Sequence, residues 1–352
     1  MTTWSKLSGL TLTIDAVDLI PLSLRVSDQF ERPTTMIQLS GLGKKGVGED
    51  VCWDVADQQR LRQASIDWPL GEFDLASFSI ALDGIDLNDQ GLQQPAYRDY
   101  RRWAIESAAL DLALCQAACS LGDVLGRTPA PVRFVASAGL GNPPNLALVE
   151  TLLSRVPGLR FKLDAHPGWS QEFLDRLAGL NVVDVIDFKG AYKGTPVDTP
   201  PDAALYRRVA ETLPEAILED PAWTEETAAA LAPYHERLAW DAPIHSVEDI
   251  KASPFSQRFI NIKPSRFGRL ETLFAAYDYC ARQGITMYGG GQFELGCGRL
   301  HIQTLAALFH PDTGNDVAPV EYHSIEDHET LPRSPRTPLT KSPKPGFALE
   351  WA

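Results

Sequence analysis

Residues 9–60 alternate apolar and polar positions in short runs, as in LTLTIDAVDLIPLSL and TTMIQLSG, broken by the turn-forming stretch GLGKKGVGE. A period of two with glycine punctuation predicts an antiparallel sheet. From Trp103 the period lengthens. Ile105, Ala108, Ala109, Leu112, Cys115, Ala118 and Cys119 recur at steps of three and four, one stripe of an amphipathic helix that runs out at Leu121 and Gly122. Beyond Arg127 a strand pattern followed by a helical one repeats seven times. The strands are VRFVASAG, RFKLDA, VVDVIDFKG, EAILEDP, RLAWDAP, FINIKPSR and ITMYGGG, with helical stretches such as NLALVETLLSRV and SQEFLDRLAGL between them. That alternation predicts parallel strands joined by helical crossovers. Strand-end positions lie 25 residues apart from Lys162 to Asp187, then 32 to Glu219, 22 to Asp241 and 22 to Lys263. The spacing, and the lack of a GxGxxG turn after the first strand, favour a closed (β/α) barrel over an open doubly wound sheet. The chain thus divides into an α+β domain over 1–127 and an α/β barrel over 128–319. The tail, 320–352, carries prolines at 332, 335, 338, 343 and 345. They exclude a helix or a central strand, and the tail reads as an irregular return segment completing the N-terminal domain.

Composition narrows the partners. A length of 352 residues is ample for a buried core. Forty-six acids against 32 Lys and Arg give a net charge of -14, which repels nucleic acid and anionic lipid. Hydrophobic and charged fractions of 44% and 22% are those of a globular protein. No run approaches the roughly 18 apolar residues of a membrane span. The start, MTTWSKLSGLTLTID, lacks the apolar block of a signal peptide. Cys52, Cys115, Cys119, Cys280 and Cys297 are odd in number and lack CxxC spacing, which predicts reduced, buried thiols in a cytoplasmic protein.

The chemistry lies in where charged residues fall on the repeating strands. Each apolar run ends in one or two of them: Lys162 and Asp164, Asp187 and Lys189, Glu219 and Asp220, Asp241, and Lys263. An acid at a strand end is commonly only the cap of the next helix. Jointly, however, five consecutive strands aim charge at the C-terminal mouth, where barrel enzymes build their sites. Strand residues two apart share a face, so Lys162 with Asp164, and Asp187 with Lys189, point the same way. Asp187, Glu219 and Asp241 make an all-oxygen cluster that cannot stay ionised together without a cation. A hard cation, magnesium above all with manganese as a substitute, suits those donors. Lys162 and Lys263 flank the acids, placed to move protons.

At this point the residues resemble the enolase superfamily, in its muconate-cycloisomerase-like (mandelate racemase/muconate lactonizing enzyme) branch, as a divergent member. The resemblance covers essentially the whole chain: a capping domain containing GVGED (Gly46 to Asp50), a joining helix AIESAALDLAL (Ala104 to Leu114), and a barrel of the (β/α)7β type. It implies that Asp187, Glu219 and Asp241 are the Mg²⁺ ligands of the third, fourth and fifth barrel strands, and that Lys263 is the sixth-strand lysine. In GGGQFELGCGR the resemblance puts Glu294 near the substrate; Gln292, Arg266 and Arg299 are further candidates for a polar substrate group. The departures are as informative. The family's second strand carries Lys-x-Lys, whereas here it reads Lys162-Leu163-Asp164; the third carries Asp-x-Asn, whereas here it reads Asp187-Phe188-Lys189. Lys189 either replaces the missing base with Asp164 as its ion-pair partner, or forms only a structural salt bridge with it. An alternative register makes Asp164 itself a metal ligand.

The resemblance implies an Mg²⁺-dependent isomerase or lyase. It would abstract the proton alpha to a carboxylate of a small substrate through an enolate, as a racemase or epimerase, a cycloisomerase or an o-succinylbenzoate-synthase-like lyase. Lys263 is then one acid/base group, with Lys189 or Lys162 opposite. The competing expectation is a catalytically silent barrel that binds metal and ligand without turnover. Cap loops at Val26 to Arg32 and Cys52 to Asp54 are candidates for covering the mouth. The family often forms even-numbered homo-oligomers, which is an expectation by analogy alone.

Overall fold

The computed structural model describes residues 2–26, 30–87, 92–195, 197–339 and 344–352. Two antiparallel sheets open the chain. β1 (Thr11–Ile14) pairs with β5 (Gly71–Asp74), while β2 (Ala16–Arg25), β3 (Glu31–Gly41) and β4 (Lys44–Asp50) form a meander in that order. The period-2 runs thus become strands. Between them the structure adds α1 (Thr3–Leu7), α2 (Val55–Gln63) and α3 (Leu75–Ala81), too short or too polar to show a helical stripe. The long helix α4 (Tyr97–Gln116) starts six residues before Trp103; its first residues bury Tyr97, Tyr100, Arg101 and Arg102, a mix of polar and aromatic positions that shows no apolar stripe on the sequence. It ends at Gln116, and α5 (Leu121–Leu125) follows under a Ser120 capping box. β4 lies directly on α4: a Cβ at Gly48 would sit 1.9 Å from the Ala104 carbonyl oxygen, so only glycine allows that approach.

Seven parallel strands follow in sequential order: β6 (Val135–Gly139), β7 (Arg160–Asp164), β8 (Val183–Asp187), β9 (Ile217–Glu219), β10 (Leu238–Trp240), β11 (Phe259–Ile262) and β12 (Thr286–Gly289). The crossovers carry α6 (Ala147–Arg155), α7 (Gln171–Leu180), α8 (Ala203–Thr212), α9 (Glu225–Leu231), α10 (Val247–Lys251), and α11 (Pro264–Phe267) with α12 (Leu270–Gln283); α13 (Cys297–Phe309) comes last. The strands are near-continuous apolar runs because both faces are covered. The curled sheet's two ends meet one short segment. Val135 donates to the Asn315 carbonyl at 2.8 Å, and Asp316 donates to the Gly289 carbonyl at 2.7 Å.

The tail is irregular apart from short 3-10 turns at Val320–His323 and Ile325–Asp327, and Pro343 lies outside the described residues. It touches both halves: Arg336 pairs with Val132, Gly346 with Ser120, and Phe347 donates to Asp111 on α4 at 2.7 Å. The described cysteines are all unpaired, but Cys115, Cys119 and Cys297 are only half-buried. No described helix is long and apolar enough to cross a membrane.

One buried group makes stability depend on pH. His301 on α13 is fully buried, neither ring nitrogen has a hydrogen-bond partner, and its ring stacks on Phe347 at 4.2 Å. Burial pushes its pKa down from 6.5 to about 3. Between those values the unfolded chain binds a proton that the folded one does not, so stability is full above pH 6.5 and falls as pH drops toward 3. His301→Leu should therefore be favoured over wild type by about 2 kcal/mol more at pH 5 than at pH 8, in urea unfolding. Equal differences at the two pH values would show that His301 is not buried as a neutral ring.

Candidate active site

The mouth of the parallel sheet is assembled by register. Asp164, Asp187 and Glu219 lie side by side at the ends of β7, β8 and β9, and Glu219 pairs with Ala239, two residues before Asp241. The three expected ligands converge: Asp187, Glu219 and Asp241 each offer an oxygen within 4.8 Å of the others, all wholly buried. Asp164 lies outside this group among the described residues, with its carboxylate 3.2 Å from Lys189 Nζ.

Four cations interleave with the acids. Lys162, 1% exposed, bonds Glu219 and lies 3.5 Å from Asp187 and 3.8 Å from Asp316. Lys189 Nζ donates to Asp187 at 2.5 Å. Lys263, at the start of α11, meets Asp241 Oδ2 at 2.8 Å, and Arg266 lies 3.4 Å from Asp241 Oδ1. Lys189 is held in the left-handed region, φ +55, with its amide on Asp187 Oδ1. That turn costs about 1–3 kcal/mol and folds the side chain back over its own strand end. Asp220, also left-handed at φ +48, accepts the amides of Asp241 and Ala242 at 2.8 and 2.9 Å and so fixes the start of the β10 turn.

Burial and charge then set the protonation states. Burial pushes Glu219 up to about 8 despite Lys162, and Asp220 up to about 7, helped by Asp241. Burial would also raise Asp187, but Lys189 and Lys162 hold it down at about 2. Asp241 is likewise pulled well below its usual range by Arg266 and Lys263 against burial. Lys189 stays above its ordinary value because Asp187 and Asp164 outweigh desolvation, and Glu219, Asp187 and Asp316 do the same for Lys162. Asp164, Asp187, Glu219, Asp241 and Asp316 lie within ion-pair distance of Lys162, Lys189, Lys263 or Arg266. Asp241 Oδ1 is buried without a hydrogen-bond donor. A group of hard oxygens and an open carboxylate oxygen together fit a divalent cation.

The residues after β12 form a second cluster. Glu294 accepts the Gln292 amide at 2.7 Å and pairs with Arg299 at 3.3 Å; Arg299 also donates to His323 at 3.0 Å. Gln292 is buried with its side-chain nitrogen unpartnered. The glycine run exists for packing: a Cβ at Gly290 would lie 2.8 Å from Lys263 Cε, and one at Gly291 2.2 Å from the Glu294 carboxylate. Residues of β3 and β4 hold this loop. Arg32 donates to the carbonyls of Gln292 and Phe293, and Glu49 accepts the amides of Gly296 and Gly298 at 2.9 Å. Trp53 donates to the Gln292 side chain at 3.3 Å, which brings the Cys52 to Asp54 loop to this cluster. Of the other candidate loop, residues 27–29 lie outside the described residues.

Sequence reasoning missed several site residues. Asn261 donates to Glu219 at 3.2 Å and Tyr288 also bonds Glu219. Strand period was a signal for Asn261, two residues before Lys263 and so on its face. Tyr192, whose hydroxyl donates to Asp241 at 2.9 Å, and Asp316 lie on irregular segments that carry no such signal.

Comparison with known proteins places this geometry. Residues 5–124 match the family model described as domain of unknown function (DUF8230) N-terminal domain, and residues 128–324 match its C-terminal domain. The chain is 26% identical over 258 residues to o-succinylbenzoate synthase of Geobacillus kaustophilus, covering 67% of this chain and 64% of that protein. It is 28% identical over 222 residues to N-succinylamino acid racemase of Amycolatopsis sp, covering 58% and 56%. The matches thus span less than two thirds of the curated relatives' own length. Muconate cycloisomerase from Pseudomonas fluorescens superposes with a TM-score of 0.66 at 16% identity, over 97% of both chains. An enolase-superfamily member from Listeria innocua superposes with a TM-score of 0.63 at 20% identity, over 88% and 86%. The chain belongs to the DUF8230 family, and its fold is that of the enolase superfamily.

Proposed function

We propose that this protein is an Mg²⁺-dependent isomerase or lyase that removes the proton alpha to a carboxylate of a small substrate. The observation that carries the reading is the convergence of Asp187, Glu219 and Asp241 at three successive strand ends. The named activities of the relatives support it, as synthase, racemase and cycloisomerase. The sheet is read as a (β/α)7β barrel, with residues 315–316 in the place of its last strand. When bound, the cation would supply positive charge to the substrate carboxylate as negative charge develops there. Lys263 faces a single carboxylate, whereas Lys162 sits among three and Lys189 between two, so we assign proton removal to Lys263 Nζ, which would act as the free amine and take up the proton as an ammonium beside Asp241. Lys189 Nζ, held cationic by Asp187 and Asp164, is assigned the opposite face, where it would return a proton. Lys162 would keep Glu219 and Asp187 in place. Gln292, Glu294 and Arg266 are assigned to the polar end of the substrate.

The test is proton NMR in D2O with Mg²⁺ and a panel of N-acyl amino acids, dipeptides and muconate-like diacids. Deuterium is expected at the alpha position of at least one of them. Cation binding with no exchange anywhere in the panel would instead favour a barrel that binds metal and ligand without turnover.

A further inference from the structure

The loop after β8 carries Tyr192, five residues beyond the strand end at Asp187. Described residues of the turn after Lys189 bond to one another: Thr199 donates to the Lys189 carbonyl at 3.3 Å, Thr195 to that of Tyr192 at 3.1 Å, and Gly194 to the Asp198 carboxylate at 3.2 Å. From this turn Tyr192 reaches across two strands. Its hydroxyl donates to Asp241 Oδ2 at 2.9 Å and accepts from Arg266 Nη2 at 3.2 Å. Its ring also lies under Lys189 Nζ, 5.0 Å from the centroid.

Asp241 is therefore held asymmetrically. Oδ2 takes both Tyr192 and Lys263, the latter at 2.8 Å, while Oδ1 receives no hydrogen bond although it is buried. Arg266 Nη2 lies at ion-pair distance, 3.4 Å, from that Oδ1, and directs one of its two N–H groups to the Tyr192 hydroxyl. The phenol does two things at once: it anchors one carboxylate oxygen, and it takes the hydrogen bond of the guanidinium that lies beside the other. Without it, a small movement would let Arg266 close on Oδ1, since a charged donor beside an unpaired buried acceptor is driven to pair with it.

We propose that Tyr192 is a positioning residue that keeps Asp241 Oδ1 open for the divalent cation. The proposal rests on the reading of Asp187, Glu219 and Asp241 as the cation site. Groups that orient a ligating carboxylate typically change metal affinity about 10–100-fold when removed.

The test is Mn²⁺ titration of the full chain followed by electron paramagnetic resonance, on wild type, Tyr192→Phe and Asp241→Asn, with thermal unfolding in EDTA alongside. The phenylalanine keeps the ring and its packing, so the metal-free melting temperature should stay near that of wild type. Mn²⁺ affinity should nevertheless fall by about 10–100-fold in Tyr192→Phe. Affinity equal to wild type in Tyr192→Phe, with Asp241→Asn showing the expected loss, overturns the role of Tyr192 alone. No Mn²⁺ binding by wild type overturns the cation site and the role of Tyr192 with it. Should Tyr192→Phe melt early in EDTA, Tyr192→Met serves as the second variant; wild-type affinity in that protein overturns the proposal equally.

Discussion

Replacing Lys263 with alanine should lower alpha-proton exchange by about 10²–10⁴-fold while leaving cation binding no weaker than in wild type. The two effects separate because Lys263 touches the ligand group only through Asp241 Oδ2, at 2.8 Å. Removing an ammonium from a carboxylate strengthens that carboxylate's call on any other cation. Tyr192 still holds the same oxygen, so Asp241 keeps its orientation. The measurement pairs deuterium exchange by NMR with Mn²⁺ affinity. Exchange within a factor of a few of wild type would remove Lys263 from the proton-transfer role. A parallel collapse of metal binding would instead mean that the residue props up the site.

Replacing Lys162 with methionine should destabilise the cation-free protein by about 3–5 kcal/mol, because it strips the counter-charge from buried carboxylates. Lys162 is 1% exposed and lies against Glu219, Asp187 and Asp316, of which the first two are wholly buried. Methionine nearly fills the volume, so the loss is electrostatic. That gives the experiment its second arm: saturating Mg²⁺ should recover much of the deficit, since the cation takes over the compensation. Chemical unfolding with Mg²⁺ and with EDTA measures both. A variant as stable as wild type in EDTA would show that the carboxylates take up protons instead, as the value near 8 for Glu219 already permits.

The repeating strands and the charges at their ends are written in the local pattern of the chain. Parallel strands covered on both faces must be apolar, so the positions where apolar runs break into Lys162, Asp187, Glu219, Asp241 and Lys263 mark the mouth without any coordinates. Asp164 and Lys189 stand where the resemblance implies a lysine and an asparagine, a departure legible only against that family pattern. What the tertiary structure alone decided is which charges meet, and by which atom. The left-handed turn that brings Lys189 back onto Asp187, and the reach of Tyr192 to Asp241, come from loop geometry that has no period. Asp316 joins the site because residues 315–316 bridge the two ends of the sheet, a consequence of curvature that no local pattern encodes. Arg32 and Glu49 lie on β3 and β4 but hold the loop after β12, more than 240 residues away in the chain. Local hydrophobic periodicity specifies elements; long-range packing specifies which polar groups share the buried space between them.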